Sequence, residues 1–495
     1  MPLDEEIRRS TEKAWQYTLS NAKTLKFQGY EVCYFPLFFQ ENPMPPPSEI
    51  DSCATAIGIS VLSAKMSPLN TDELEVIRKC CRLLTMMKGT SGGWPSLVPL
   101  TRAIKIEKME GTINDTFFAL KALFDAGVPT FRTDIIDIPV NEQMRIISDG
   151  ISWLLKNRIR QAWYYIEKEF ILPEALENAI PAILPTSNVL FLFSQAKEIV
   201  RKFCEELEKH VEIDYSAQIR NYKELLNEIN LAYSEAIEWL RMIQNKDGGY
   251  GNFPGSESLV TNTALALRAL LTDNSEESMR KAMNSLRWML KLRFIIFRRL
   301  NKLPDKDIFE NYDQIWVCKD NEGTTQVRRL IVHEKYAMGL LLQVLSEVAN
   351  KEWIIKGKKE RLINKFNFFE RVKYRMLLGQ CVKGLLKMQE KTGRLSGAFK
   401  GYRHVPLAYP IYSIQESING LSSVLKSYKT AFRFVEVKYL FAGFLIILSS
   451  VLTAWGISTY FGFNLWKELL LTITVTAIGT AILYGLKTAW QAFKK

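Results

Sequence analysis

Histidine is scarce in this chain: 495 residues hold only His210, His333 and His404. No Gly-rich loop of Walker type, no HExxH, no CxxC pair and no GxSxG elbow occurs. P-loop nucleotide hydrolysis, zincin-type proteolysis, thioredoxin-type redox chemistry and the serine-hydrolase elbow are therefore excluded. Cysteine is present seven times, an odd number with Cys80 and Cys81 adjacent. That pattern does not make a disulfide framework and predicts a reducing compartment. The opening MPLDEEIRRS lacks the apolar run of a secretory signal, so none is expected. No run of alternating apolar and polar residues reaches convincing length, and the class read from the sequence is all-α. The net charge of +12 comes from basic residues interleaved with acids. They form no stripe with exposed aromatics, and no nucleic-acid partner is expected.

What is present is a repeated unit. Its clearest copy starts with the helical run Ala236–Ile243, whose Trp239, Leu240 and Ile243 share a face. Asp247-Gly248-Gly249 breaks that helix, because paired glycines reach positive φ without a Cβ clash. Tyr250 and Phe253 are aromatic anchors in the turn, and Leu265, Leu267, Leu270 and Leu271 mark a second helix. The pattern of helix, Gly-rich aromatic turn and helix recurs about six times, at intervals of about 60–80 residues. Trp94, Trp163, Trp316 and Phe399 stand in the corresponding turns of other copies. With Tyr250 they are candidate ligand-binding residues at a cavity mouth, where their faces would steady a cation, or else packing wedges between hairpins. A ring of such hairpins over 1–430 is the expected architecture. Helical insertions are expected near 195–231 and 291–370, and the basic runs Lys291–Lys302 and Lys351–Lys365 suit either an anionic membrane surface or ordinary outer helix faces.

The tail, 431–495, changes character. Tyr439–Tyr460 and Leu469–Leu486 are uncharged and long enough to cross a bilayer, which predicts a two-helix transmembrane hairpin. Lysines and Arg433 flank the pair on its outer sides, so the positive-inside bias places the body and the C-terminus in the cytoplasm of a multi-pass membrane protein. The small pairs Ala477–Ala481 and Thr476–Thr480 suggest self-association through that hairpin, with the lipid bilayer as partner.

The stretch WLRMIQNKDGGYG followed by TNTALALRAL resembles the repeat of the squalene-cyclase and protein-prenyltransferase β-subunit superfamily. The resemblance spans roughly Trp15–Tyr428 and implies an α/α toroid around an apolar cavity for isoprenoid chains. It also implies that Asp247 is a structural repeat acid. Family cyclases use a D-x-D-D-T motif whose acid protonates an alkene; the corresponding stretch here is Thr112-Ile113-Asn114-Asp115-Thr116, which keeps Asp115 and Thr116 but not the other acids. Asp115 is the catalytic candidate, with a helix-cap acid as the alternative. Family prenyltransferases hold zinc with an Asp, a Cys two residues on, and a distant His. Asp51-Ser52-Cys53 has that spacing, and His404 would complete the set. The D-D-x-x-D motif of magnesium-dependent synthases is absent, so zinc or magnesium enters only if the chain is an enzyme.

Two functions follow from these readings. The first is a membrane-anchored cytoplasmic toroid that senses an apolar ligand or protein partner, with the hairpin as a membrane effector in stress or phage defence. The alternative is a prenyltransferase or terpenoid-cyclase-like enzyme acting on a membrane-derived isoprenoid. Carboxylates or metal ligands converging inside the ring would favour the enzyme.

Overall fold

The computed structural model describes residues 3–39, 49–65, 67–99, 111–130, 136–164, 181–209, 215–299, 311–319, 325–332, 334–355, 358–399 and 409–432. Two units separate, Met1–Ser427 and Tyr428–Lys495, and the elements that follow lie in the first, save the end of the last helix.

Helices alternate between two roles. α1 (Leu3–Ser20), α3 (Thr71–Met86), α5 (Val140–Lys156), α7 (Ser216–Met242), α9 (Glu276–Arg299) and α11 (Phe368–Met388) precede the turns. Each is followed by a partner: α2 (Ser52–Ser63), α4 (Ile113–Asp125), α6 (Ile183–Lys209), α8 (Val260–Thr272), α10 (Glu334–Asn350) and α12 (Ile411–Phe432). The second set is buried on nearly every face. In α2 all residues from Ala54 to Leu62 are buried, as are all residues of α8 from Val260 to Leu271 except Arg268. A helix apolar all round belongs inside, with other helices on each side. α2 packs on α4, α4 on α6, α6 on α8 and α8 on α10. α10 and α12 cross closely through Gly339 and Gly420, where an added Cβ would sit 2.5 and 2.6 Å from the other helix's backbone.

One turn is built alike in three copies. The aromatic wedge donates from its ring to a carbonyl of the preceding helix: Trp94 Nε1 to Leu84 O at 2.7 Å, Trp163 Nε1 to Leu154 O at 2.8 Å, Tyr250 Oη to Leu240 O at 3.1 Å. The wedge's backbone N–H in turn donates to a threonine of the next inner helix, Thr116, Thr186 or Thr263, at 2.9–3.0 Å. Gly92 and Gly248 hold φ of +105° and +95°, and a Cβ at either would lie 2.7 Å from a carbonyl oxygen of the next outer helix, Asp149 or Asn284. The sixth turn makes the same approach to the first helix: Gly397, φ +105°, would place a Cβ 2.5 Å from Lys13 O. Gln389 reinforces that contact by donating to Ser10 O. The short strands β3 (Phe38–Phe39) and β10 (Tyr409–Pro410) pair antiparallel across the same junction. The last hairpin thus meets the first as the second and fourth meet their successors, giving a toroid-like ring of helices.

Two expectations are corrected. The chain is not free of strands. β1 (Lys23–Phe27) pairs with β2 (Tyr30–Tyr34), β4 (Glu49–Asp51) with β5 (Leu97–Pro99), β6 (Asn311–Lys319) with β7 (Thr325–Val332), and β8 (Glu352–Ile355) with β9 (Lys358–Arg361). Most are two-stranded pieces too short to register as alternation, and the longest pair has a register shift between Tyr312 and Gln314 that disrupts its period. Part of the insertion near 291–370 is therefore hairpin, and the Lys351–Lys365 run holds β8, β9 and a 3-10 turn rather than a helix.

The second correction concerns the C-terminal transmembrane hairpin. Among the described residues no helix is long and apolar enough to cross a membrane, because polar and charged residues interrupt each long one. Tyr439–Tyr460 and Leu469–Leu486 lie outside the described residues. The fold of the described residues is the helical ring, and no described helix supports the expected hairpin. The bilayer partner, the self-association and the multi-pass localisation all rested on that hairpin, and no helix among the described residues supports them.

Candidate active site at the heads of two inner helices

Asp51 ends strand β4 and caps α2, its Oδ1 accepting from Ala54 N at 2.7 Å. The β4–β5 pairing sets Asp51 opposite Leu97, and Ser52 fixes the register, its N–H donating to Ser96 O at 3.1 Å and its Oγ to Pro95 O at 2.6 Å. Ser96 is thereby carried to the head of α4, where its hydroxyl donates to Asp115 Oδ2. Thr112 caps α4, accepting from Asp115 N at 3.0 Å, and its hydroxyl also bonds Asp115 Oδ2. A Thr-x-x-Asp cap at a helix start is a local signal; Ser96 had none, because a strand pairing delivers it.

The outcome is a cluster in which one donor atom each of Asp51, Cys53 and Asp115 lies within 4.8 Å of the others. Two candidates that the sequence kept apart, the catalytic Asp115 and the Asp51/Cys53 pair, thus form one site. Asp115 is buried, 6% exposed. Burial raises its carboxyl above the ordinary range, against the lowering effect of bonds from Ser96, Thr112 and Cys53. Burial likewise pushes Asp51 up to about 6, with the neighbouring Asp115 adding to the rise. The Cys53 thiol is raised well above its ordinary value by burial and by both carboxyls. Among the described residues, no lysine or arginine is among the groups acting on any of the three. Two carboxyls and a thiol so close together cannot all be ionised; the site holds protons or a cation.

The donor set fits a divalent metal with sulfur affinity. Asp51, Cys53 and Asp115 would be three ligands to zinc with a position left open, whereas the thiol disfavours magnesium. His404, the third ligand expected, lies outside the described residues.

The aromatic candidates go elsewhere. Trp94, Trp163, Tyr250 and Phe399 are at most 1% exposed. The first three have their polar atoms engaged with backbone, so they fill the gaps between hairpins. Trp316 lies on β6, and its side chain is outside the described residues. Asp247 ties its own turn together: it accepts from Gly249 N and Ser258 Oγ at 2.9 Å each and from Trp288 Nε1 at 2.9 Å.

No protein family matches the chain, and no curated relative does. Solved structures do. The type II terpene cyclase MstE from Scytonema aligns with 86% of this chain and 99% of its own at 11% identity and a TM-score of 0.45. An unsaturated glucuronyl hydrolase specific for heparin aligns with 86% of this chain and 98% of its own at 11% identity and a TM-score of 0.47. The ent-copalyl diphosphate synthase from Streptomyces platensis aligns with 75% of this chain and 50% of its own at 12% identity and a TM-score of 0.36. Their chemistries differ, and at TM-scores below 0.5 the likeness assigns none of them to this chain.

Proposed function

We propose that the chain is an enzyme of the terpenoid-cyclase-like kind, using Asp115 as a general acid toward an apolar, isoprenoid-type substrate. This replaces the reading as a membrane-anchored sensor or effector, which required a ring without convergent acids and a hairpin to carry the output. The observation that carries the proposal is the Asp51–Cys53–Asp115 cluster at the heads of α2 and α4.

Protonating a carbon–carbon double bond needs a carboxyl that keeps its proton at neutral pH, away from water. Burial of Asp115 supplies both conditions. Ser96 and Thr112 converge on one of its oxygens, Oδ2, which leaves Oδ1 to carry the proton. After transfer, the same two hydroxyls stabilise the carboxylate, so the donors serve the product of the step. Asp51, with its own carboxyl raised to about 6, is a nearby group able to return a proton. The proton adds to the alkene, a carbocation forms and rearranges, and loss of a proton elsewhere closes the balance; the product is an isomer of the substrate. The substrate class draws its support from the sequence resemblance of the repeat around Asp247-Gly248-Gly249.

A second reading has its own support in the donor set of the trio, two carboxyls and a thiol with no basic partner among the described residues: the cluster would hold zinc, which would favour the Cys53 thiolate. Incubation with linear polyprenyl compounds in heavy water separates the two. The acid reading expects a cyclic product carrying one deuterium, formed by the metal-free protein and lost in Asp115→Asn. Turnover that required added zinc, or that survived Asp115→Asn, would reject Asp115 as the donor.

A further inference from the structure

A second polar site lies away from the acid cluster, around the last turns of α8 and α10. A cavity of about 400 Å³ opens there among residues of α6, α8, α10 and α12, a size ordinary for a small-molecule site. Arg268, Lys351 and Lys426 line it, against a single carboxyl, Glu347. Arg268 is held flat, its guanidinium 3.6 Å from the centre of the Phe191 ring. It meets Glu347 through Nε at 3.2 Å, and among the described residues its two terminal amino groups have no partner. Lys351 is anchored by donating to Asn274 Oδ1 at 2.9 Å, and Lys426 is exposed.

Cations at helix C-termini have an ordinary explanation, since they complement the helix dipole and neutralise a nearby acid. Ser346 is what that explanation leaves over. It lines the same cavity, is 1% exposed, and its Oγ has no hydrogen-bond partner among the described residues. A buried hydroxyl without a partner is costly unless something fills the space it faces. An anion with several acceptor oxygens would take the Ser346 hydroxyl, the free edge of Arg268 and the Lys426 ammonium together. The Phe191 ring beside Arg268 offers an apolar face for whatever the anion is attached to.

We infer that this cavity binds the phosphate group of an organic phosphate ester, with Arg268 and Lys426 as its charged contacts, Ser346 as its neutral donor and Phe191 against its organic part. The inference is independent of the role given to Asp115, and its test reads binding rather than turnover.

The test is calorimetric titration of the full chain with phenyl phosphate, inorganic phosphate and benzoate at constant ionic strength. Phenyl phosphate is expected to saturate one site and to bind more tightly than inorganic phosphate. Lys426→Gln, a surface change that leaves the core intact, should weaken it about tenfold, the loss of one charge-assisted contact. Ser346→Ala should weaken it less, while Asp115→Asn should not change it. No saturable binding, equal affinity in Lys426→Gln, or tighter binding of benzoate than of phenyl phosphate would each overturn the assignment.

Discussion

Gln389 Nε2 donates to the backbone oxygen of Ser10 at 2.8 Å, joining residues 379 positions apart. The Ser10 hydroxyl returns a bond to Gln389 Oε1 at 2.7 Å. In the fourth copy Gln244 plays the same part locally, donating to Lys281 O at 2.9 Å. A contact that elsewhere links one hairpin to the next here links the last to the first, and it is the reason the helices form a ring rather than an open row.

Closing the ring carries a testable cost. Gly397 needs its left-handed backbone and the space occupied by Lys13, whereas Gly393, at φ +73°, has nothing within 4 Å of an added Cβ. Gly393→Ala should destabilise by about 1–2 kcal/mol from backbone strain alone. Gly397→Ala should cost clearly more, because the junction must also move apart. Denaturant unfolding of both variants measures the difference; equal costs would mean that the first and last hairpins do not press together.

The repeated wedge predicts equivalence among distant positions. Thr116→Val, Thr186→Val and Thr263→Val each remove the hydroxyl that accepts from Trp94, Trp163 or Tyr250 N–H. Each should cost about 1–3 kcal/mol, since a buried N–H is left without a partner. Thermal unfolding of the three variants should show similar shifts, and one variant close to wild type would remove that copy from the shared design.

Asp51 gives a pH dependence with a definite sign. Its folded value is raised to about 6 from an ordinary 3.8, so between those limits the unfolded chain ionises while the folded chain keeps its proton. Below the lower limit both states are protonated and there is no penalty. Stability therefore falls as pH rises from about 4 to about 6 and then levels off. Asp51→Asn keeps an acceptor for Ala54 N and removes the charge. It should match wild type at pH 4 and exceed it at pH 8 by up to about 3 kcal/mol. A variant less stable than wild type at pH 8 would indicate that the carboxylate is favoured, as a bound cation would make it.

Much of the ring was legible because its signals are local. Paired glycines before an aromatic residue at Gly92-Gly93-Trp94 and Gly248-Gly249-Tyr250 mark turns that only glycine fits, and the following apolar helices are read from their periodicity. The site was legible only in pieces. Asp115 and the Asp51/Cys53 pair could each be singled out, but their meeting depends on β4 pairing with β5 and on α2 lying beside α4. Neither contact leaves a mark in the residues themselves. Ser96 was missed for that reason. The wedges misled in the opposite way: an aromatic residue in a turn looks the same whether it faces a ligand or the next hairpin, and Trp94 and Trp163 face the hairpin. The tail's two apolar runs suggested a membrane output; they lie outside the described residues, and no described helix supports it.

Activity follows from the same carboxyl. Asp115→Asn preserves an acceptor for Ser96 and Thr112 but cannot give up a carboxylic proton. Turnover should drop by about 10²–10⁴-fold, the usual contribution of a general acid, with stability at neutral pH unchanged or raised. Ser96→Ala should lower turnover less and move the alkaline limb of its pH profile upward, because it removes one of the two hydroxyls that stabilise the carboxylate. Ser96→Ala with an unaltered pH profile would show that this hydroxyl does not tune the acid.

The protonation state of Asp115 at neutral pH decides the account most directly. Infrared difference spectra between wild type and Asp115→Asn, taken at pH 7 on metal-free protein, isolate the carbonyl stretch of a neutral carboxyl. The band should be present in wild type and absent in the variant. A spectrum showing only an ionised Asp115 at that pH would contradict the acid and leave the cluster to a cation.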